Sequence, residues 1–209
     1  MKLNLLERLM TNSGMRHLVQ ARIEGPRLRS MASKDRYPVC LELGAGAGRG
    51  VGIIIGLFGA EKVVATDADP AQLERAKKRL APLLGDKKYG DKFGDKVVLK
   101  VEDALDLAGE PAGGYDAVFA FGVIHHTEDW RKALREISRV LKPGGEYFFD
   151  ELLKGFLESP PIRATTAHPA GGMFTGDEFT AYLSSIGLKP VKQWRWDGVW
   201  LMGSAMKEN

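Results

Sequence analysis

The sequence has almost no cysteine and no long hydrophobic run, and each absence excludes classes of protein. Cys40 is the only cysteine in 209 residues, so an internal disulfide or a cysteine-cluster metal site is impossible. We interpret Cys40 as a buried, inert thiol in an apolar strand. The N-terminus lacks the continuous apolar stretch of a signal peptide, and the most apolar window, residues 51–60, is too short to span a bilayer. We therefore expect a cytoplasmic protein without a transmembrane segment.

The net charge is also small, at +3, which gives no reason by itself to expect a nucleic-acid partner. Positive charge is concentrated in residues 1–37, which hold eight Lys and Arg against three acidic residues. A solvated helical face accounts for this distribution, and a surface that attracts an anionic substrate is the alternative. The length and the 44% of hydrophobic residues are sufficient for one α/β domain with a full core.

The stretch from Val39 to Gly50 is the most informative part of the chain. An apolar strand ends at Leu43, glycine then occupies alternate positions, and an apolar helix follows. Glycine lets a backbone turn sharply and approach a ligand closely, and the first amides of the helix point at the same place. This pattern predicts a nucleotide-like ligand. A G-x-G-x-x-G dinucleotide fingerprint is absent, because Arg49 or Val51 stands where its third glycine is needed.

The stretch Glu-Leu-Gly-Ala-Gly-Ala-Gly from Glu42 to Gly48 resembles motif I of the class I S-adenosylmethionine-dependent methyltransferases. Asp67 ends a second predicted strand, where a carboxylate suits the two hydroxyls of a ribose, and it matches the acidic residue of motif II. Asp103 follows the third strand, at the place where the family contacts the adenine amino group. The resemblance implies S-adenosylmethionine as the cofactor. The predicted cofactor-binding residues are Glu42, Gly44, Ala45, Gly46, Gly48, Asp67, Ala68, Asp103, Ala104 and Phe121.

Two later stretches extend the resemblance to about residues 38–152. Gly-Val-Ile-His-His at residues 122–126 resembles a segment of the ubiquinone/menaquinone-type methyltransferases, and so does Arg-Val-Leu-Lys-Pro-Gly-Gly at residues 139–145. The predicted fold is a doubly wound α/β fold with a seven-stranded, mostly parallel sheet whose last strand is antiparallel. Its strands are expected at residues 39–43, 62–66, 97–101, 115–121, 146–152, 188–196 and 199–206. We predict an N-terminal helical cap over residues 1–37, a methyltransferase domain over 38–209, and a surface insertion without chemistry over 85–96.

Methyl transfer from a sulfonium is an in-line displacement for which the protein supplies proximity, alignment and a dry site. A base is needed only if the acceptor must lose a proton. The candidates at the carboxyl edge of the sheet are His125, His126, Asp150, Glu151 and His168. Of these, His126, placed at the start of a helix, and His168, placed in a loop over residues 154–172, are retained as candidate catalytic residues. None is assigned as the base, and no metal site is predicted.

These observations predict a methyltransferase that acts on a small molecule. No Asn/Asp-Pro-Pro-Tyr stretch follows the fourth strand, which argues against the amino-methyltransferases of DNA bases and protein glutamine. The single cysteine argues against arsenite and C5-pyrimidine methylation. A methyltransferase that acts on RNA or protein remains the alternative because of the basic N-terminus, although RNA is the disfavoured partner. A nicotinamide-dependent oxidoreductase is disfavoured by the missing third glycine. The sequence predicts neither the acceptor nor an oligomeric state.

Overall fold

The computed structural model describes residues 18–84, 96–166 and 168–208. Its sheet has seven strands in the order β3-β2-β1-β4-β5-β7-β6, with β7 antiparallel to both of its neighbours and the other pairings parallel. The strands are β1 Val39–Leu43, β2 Lys62–Asp67, β3 Val97–Val101, β4 Tyr115–Phe121, β5 Leu141–Leu152, β6 Leu188–Trp196 and β7 Trp200–Lys207. The predicted seven-stranded sheet with its antiparallel last strand is confirmed.

Helices cover both faces of this sheet. They are a π-helical turn Gln20–Glu24, α1 Gly25–Met31, α2 Arg49–Phe58, α3 Pro70–Leu84, α4 Trp130–Val140, α5 Lys154–Leu157, α6 Pro160–Thr165 and α7 Gly176–Ser185, with 3₁₀ turns at Ile124–His126 and Ala170–Gly172. Within the described ranges, no helix combines the length and the apolar character needed to cross a membrane. The helices predicted before residue 18, and residues 85–95 of the insertion predicted over residues 85–96, lie outside the described residues.

The protein has two hydrophobic cores, one on each face of the sheet. Successive side chains of the central strands point to opposite faces and so contribute to both cores. Leu41 and Val118 belong to the core beneath α4 and α7, whereas Cys40 and Phe119 belong to the core beneath α1, α2 and α3. Four of the five residues of β1 are buried, as expected for a central parallel strand covered on both faces. Cys40 is buried as predicted.

The α1 helix packs into the same core as the rest of the fold. Its residues Leu28 and Met31 are buried with Ile54 and Phe58 of α2 and with Met202 of β7. Helix α1 is therefore attached to the sheet itself. The division of the chain into a cap over residues 1–37 and a domain over 38–209 stays a prediction.

Two predicted local structures differ from those observed. The helix predicted to start at His126 begins at Trp130, because Asp129 is its N-cap and accepts a hydrogen bond from the backbone N–H of Lys132 at 2.9 Å. His126 lies instead in the preceding 3₁₀ turn. The loop predicted over residues 154–172 contains the short helices α5 and α6, and a proline at the first position of α6 favours that helix.

The strand order places a crevice between β1 and β4. The chain leaves β1 toward β2 and β3 on one side, whereas β4, β5 and β7 continue the sheet on the other. In open α/β sheets, ligands bind outside the carboxyl ends of the strands at such a reversal. The glycine-rich turn after β1 and the Gly122–His126 segment after β4 both lie at this edge.

Candidate active site

A cleft opens at the carboxyl ends of β1, β2 and β4, and all predicted cofactor-binding residues except Gly48 line it. Those residues are Glu42, Gly44, Ala45, Gly46, Asp67, Ala68, Asp103, Ala104 and Phe121. The other lining residues are Gln20, Ala47, Arg49, Gly50, Asp69, Gln72, Gly122, Val123, His126 and Thr127. Of these, only His126 is predicted as a site residue from the sequence. The remaining predicted candidate, His168, reaches the site by stacking on His126.

The three glycines of the turn after β1 have positive φ angles, but they serve different contacts. A Cβ at Gly44 would lie 2.5 Å from Cγ2 of Val123, and one at Gly48 would lie 3.0 Å from Cβ of Ala76 in α3. At Gly46, with φ +53°, the nearest atom to such a Cβ would be the carbonyl oxygen of Gly44 at 4.0 Å. Gly44 and Gly48 therefore allow close packing, whereas Gly46 leaves open space on the cleft side.

Gly48 is thus the one predicted cofactor residue that the structure places outside the cleft lining. It ends the turn in the left-handed conformation immediately before α2 begins, and it lies against Ala76 and Leu80 of α3. Its role in the described structure is helix packing, which a local sequence motif does not distinguish from ligand contact.

Asp67 connects the glycine turn to the end of β2. Its Oδ2 accepts a hydrogen bond from the N–H of Gly46 at 2.8 Å, and its Oδ1 accepts one from the N–H of Asp69 at 2.8 Å. Burial raises the pKa of the Asp67 carboxyl, and the two backbone donors oppose that shift. The carboxylate is therefore held in one orientation at the cleft wall, where its remaining lone pairs suit hydroxyl donors.

Asp69 caps the N-terminus of α3. Its Oδ1 accepts a hydrogen bond from the N–H of Ala71 at 3.0 Å, and α3 starts at Pro70. Asp69 also lines the cleft. Asp67 and Asp69 therefore both border the ligand space, and they differ only in their hydrogen-bond contacts.

Glu42 is the most deeply buried acid of the cleft, with 2% of its surface exposed. Its Oε2 has no hydrogen-bond partner among the described residues. Burial raises the pKa of Glu42 to about 8, and the negative charge of Asp67 adds to the shift. A buried carboxyl without a partner is costly, and a positively charged ligand group is the natural compensation for it.

Three imidazoles gather at the other end of the cleft. The ring centroids of His125 and His126 are 4.2 Å apart, and His168 stacks on His126 at 4.7 Å with an interplanar angle of 18°. Burial, and after it the neighbouring histidines, lower the pKa of His126 well below its usual value. The predicted candidates His126 and His168 are therefore brought together, although they belong to different segments of the chain.

Glu151 holds the His125 ring in place. Its Oε2 lies 2.6 Å from Nδ1 of His125, and its Oε1 accepts hydrogen bonds from the N–H groups of Val123 and Ile124 at 3.2 and 3.0 Å. Complete burial raises the pKa of Glu151 to about 8, against the opposing effect of these backbone donors. Asp150, the neighbouring candidate, contacts Nε1 of Trp200.

Some site residues carry no recognisable sequence signal. Gln20 reaches the cleft from a π-helical turn closed by a hydrogen bond from the N–H of Gly25 to its carbonyl oxygen. Such turns occur frequently at functional sites, but apolar periodicity does not predict them. Arg49 and Gly50 follow the predicted motif directly, and their position at the start of α2 was the available signal.

Replacing Asp67 with alanine is expected to weaken binding of S-adenosylhomocysteine, the product form of the predicted cofactor, by about 1–3 kcal/mol, or roughly 5–150-fold. The change removes a candidate ribose partner and the acceptor that fixes Gly46. Asp69→Ala is the matched control and is expected to lower stability by about 1 kcal/mol through loss of the N-cap, with a smaller effect on affinity. Calorimetry and urea unfolding measure the two quantities. A larger loss of affinity in Asp69→Ala would reverse the assignment.

A family model described as "Methyltransferase domain" matches residues 41–147. The chain is 30% identical over 126 residues to 27-O-demethylrifamycin SV methyltransferase of Amycolatopsis mediterranei, a match that covers 57% of this chain and 42% of that protein. It is 32% identical over 135 residues to polyketide synthase ThaQ of Burkholderia thailandensis, covering 62% of this chain and 6% of the synthase. The chain thus spans less than half the length of either relative.

The same architecture occurs in a solved structure of an S-adenosylmethionine-dependent methyltransferase from Aquifex aeolicus. The TM-score is 0.73, and the superposition covers 98% of this chain and 99% of that one. Sequence identity is 18%, so this likeness concerns the fold.

Proposed function

We propose a function for this chain from one premise, namely that it belongs to the methyltransferase domain family whose model matches residues 41–147. The chain is a class I S-adenosylmethionine-dependent methyltransferase, and S-adenosylmethionine is its cofactor. Its methyl acceptor, we propose, is a small organic molecule. The observation that carries this proposal is the scarcity of cationic side chains on the described cleft lining.

The described lining of the cleft is acidic. It contains the carboxylates of Glu42, Asp67, Asp69 and Asp103 and a single cationic side chain, that of Arg49. Affinity for nucleic acids depends on lysine and arginine side chains that neutralise phosphates. Glu42, Asp67 and Asp103 are predicted contacts of the cofactor, so the case against a polyanion rests on the single cationic side chain of the described lining. This lining is compatible with a neutral or weakly charged small acceptor.

Most of the basic residues within residues 18–37 make contacts outside the cleft. Arg27 lies over the ring of Trp194 at 4.4 Å, and Arg36 pairs with Glu61 at 2.9 Å. Arg29 donates to the backbone oxygens of residues 34 and 35. These contacts favour the interpretation of the basic segment as a packed and solvated surface over the alternative of an anion-binding patch.

The names of two relatives support a small-molecule acceptor. One is a methyltransferase of 27-O-demethylrifamycin SV, and the other is a polyketide synthase. We infer that an oxygen-rich organic molecule of comparable chemistry is the acceptor class for this chain. A macromolecular acceptor, RNA or protein, is the competing outcome of the test below.

The residues at the cleft fit the cofactor. A side chain at Gly46 would enter the cleft, and the buried Oε2 of Glu42 lacks a partner among the described residues. We infer that Gly46 provides the space for the methionine end, Glu42 a countercharge and Asp67 a ribose contact. When bound, S-adenosylmethionine supplies an activated methyl group. The protein then orients the two reactants and excludes water, which is the main contribution such a displacement needs.

Tritium from S-adenosyl-[methyl-³H]methionine is expected to appear in low-molecular-weight products. The protein is incubated with a panel of phenols, 1,3-diketones and amines, and separately with total RNA and with a protein mixture. The Gly46→Val variant, expected to lose cofactor binding, measures the background. Label confined to RNA or protein would replace the small-molecule proposal with the macromolecular alternative.

A further inference from the structure

The histidine cluster at the acceptor end of the cleft has the composition of a metal centre. One ring nitrogen from each of His125, His126 and His168 lies within 4.8 Å of those of the other two residues. We propose that these three imidazoles bind one divalent transition-metal ion of the zinc type. No spacing in the sequence predicts this site, because His168 joins the pair only through the folding of the segment after α6.

The donor set suits such an ion in chemistry and in number. Imidazole is a preferred ligand of zinc and related transition metals, whereas magnesium and calcium prefer oxygen. Three histidines plus one open position form a known type of catalytic zinc site. A tetrahedral site with Zn–N distances of about 2.0–2.1 Å places its nitrogens roughly 3.3 Å apart. Binding therefore requires the stacked rings of His126 and His168 to reorient, and nitrogens that lie up to 4.8 Å apart to move closer together.

Two of the rings are prepared for ligation. Nδ1 of His126 is buried and has no hydrogen-bond partner within the described ranges, which is costly unless a ligand reaches it. Nδ1 of His125 is engaged by Oε2 of Glu151 at 2.6 Å, and in this proposal the ring binds the ion through Nε2. A carboxylate on the second ring nitrogen is the usual outer partner of a metal-binding histidine.

Two glycines allow the segment that carries His168 to pack closely against the segment that carries His125 and His126. A Cβ at Gly171 would lie 2.0 Å from the carbonyl oxygen of Glu128, and one at Gly172 would lie 2.5 Å from that of His125. The two glycines thus let the segment that carries His168 pack directly on the segment that carries the other two histidines. In addition, Oγ1 of Thr166 lies 3.1 Å from Nδ1 of His168, which orients that ring.

The position of the cluster indicates what the ion does. His126 and the adjacent Thr127 line the cleft, so an ion held by His126 would lie beside the acceptor space. An ion there would bind an acceptor oxygen and stabilise the negative charge that forms when the acceptor releases its proton to solvent water. This role rests on the proposed small-molecule function and narrows the acceptor to phenols, enols and related oxygen compounds. The metal site itself does not depend on that function.

Titration with cobalt(II) tests the site without any methyl acceptor. Protein without a polyhistidine tag is stripped of metal, and the visible absorption of bound Co²⁺ is followed to saturation, with competition by Zn²⁺. We expect one equivalent per chain. The variants His126→Gln and His168→Gln are expected to weaken binding at least about 100-fold, and Glu151→Gln about 10–100-fold through the outer contact. Glu178→Gln, the same change in an exposed helix cap, is the matched control and leaves binding unchanged.

Folding of each variant is checked by thermal unfolding with and without S-adenosylhomocysteine, and a folded His168→Gln variant is sufficient for the conclusion. Absence of Co²⁺ and Zn²⁺ binding to folded wild-type protein would overturn the proposal and leave the three imidazoles as proton carriers. Binding that persists in both histidine variants would overturn it equally, because the ion would then lie elsewhere. Either result is independent of the radiolabel experiment.

Discussion

Replacing Gly46 with valine is expected to abolish binding of S-adenosylmethionine and S-adenosylhomocysteine while leaving the fold in place. The Cβ position of Gly46 faces open space in the cleft, with the nearest atom 4.0 Å away. A branched side chain there occupies the ligand space without colliding with the protein. We expect a loss of affinity of more than about 100-fold, or roughly 3 kcal/mol, measured by calorimetry with S-adenosylhomocysteine.

The backbone of Gly46 adds a cost that the experiment must separate from the steric effect. Its φ of +53° is unfavourable for a side chain by about 1–2 kcal/mol. Gly113→Val is the matched control, because Gly113 has a φ of +63°, nothing within 4 Å of its Cβ position and no place in the cleft lining. Both variants are expected to lose similar stability in urea. Equal affinity losses in both would refute a specific role for Gly46.

The positions of the strands could be predicted because the necessary signals are local. Both β1 and β4 have the predicted bounds, since largely apolar segments end there at Gly44 and Gly122. The start of β5 was predicted at Glu146 but lies at Leu141. Leu141 pairs with Tyr115 across a register shift, and such an irregular pairing depends on the neighbouring strand rather than on the local pattern.

Site residues could be predicted only where a single segment of the chain contains the complete sequence motif. The glycine turn and the acid at the end of β2 are local motifs, and both line the cleft. Gln20 and His168 reach the site through a π-helical turn and through glycine packing on a distant segment. Those contacts are tertiary, so neither periodicity nor capping rules indicate them.

The buried carboxyl of Glu42 lowers the stability of the folded protein, and this loss of stability indicates a function in ligand binding. Its carboxyl is buried beside Asp67, and its Oε2 has no hydrogen-bond partner within the described part of the chain. A group selected only for stability would be apolar or fully hydrogen-bonded there. We infer that the carboxyl is retained as a countercharge for the positively charged end of the cofactor. The isosteric variant Glu42→Gln separates these two properties.

Glu42→Gln is expected to increase the free energy of unfolding at pH 8 and to have little effect near pH 4.5. Burial and Asp67 raise the pKa of Glu42 from 4.5 to about 8 in the folded protein. Between these values the folded protein retains a proton that the unfolded chain has released, so wild-type stability falls as the pH rises.

The difference in free energy of unfolding between variant and wild type changes by at most about 1.4 kcal/mol per pH unit. It should therefore grow by up to about 5 kcal/mol across this window and level off above pH 8. Urea unfolding without cofactor measures it at several pH values. Glu61→Gln, which removes an acid from an exposed ion pair with Arg36, is the control and should show a small and nearly pH-independent effect. The same Glu42 variant should bind S-adenosylhomocysteine more weakly than wild type. A pH-independent difference, or a stabilised variant with undiminished affinity, would contradict the role of Glu42 as a destabilising countercharge for the cofactor.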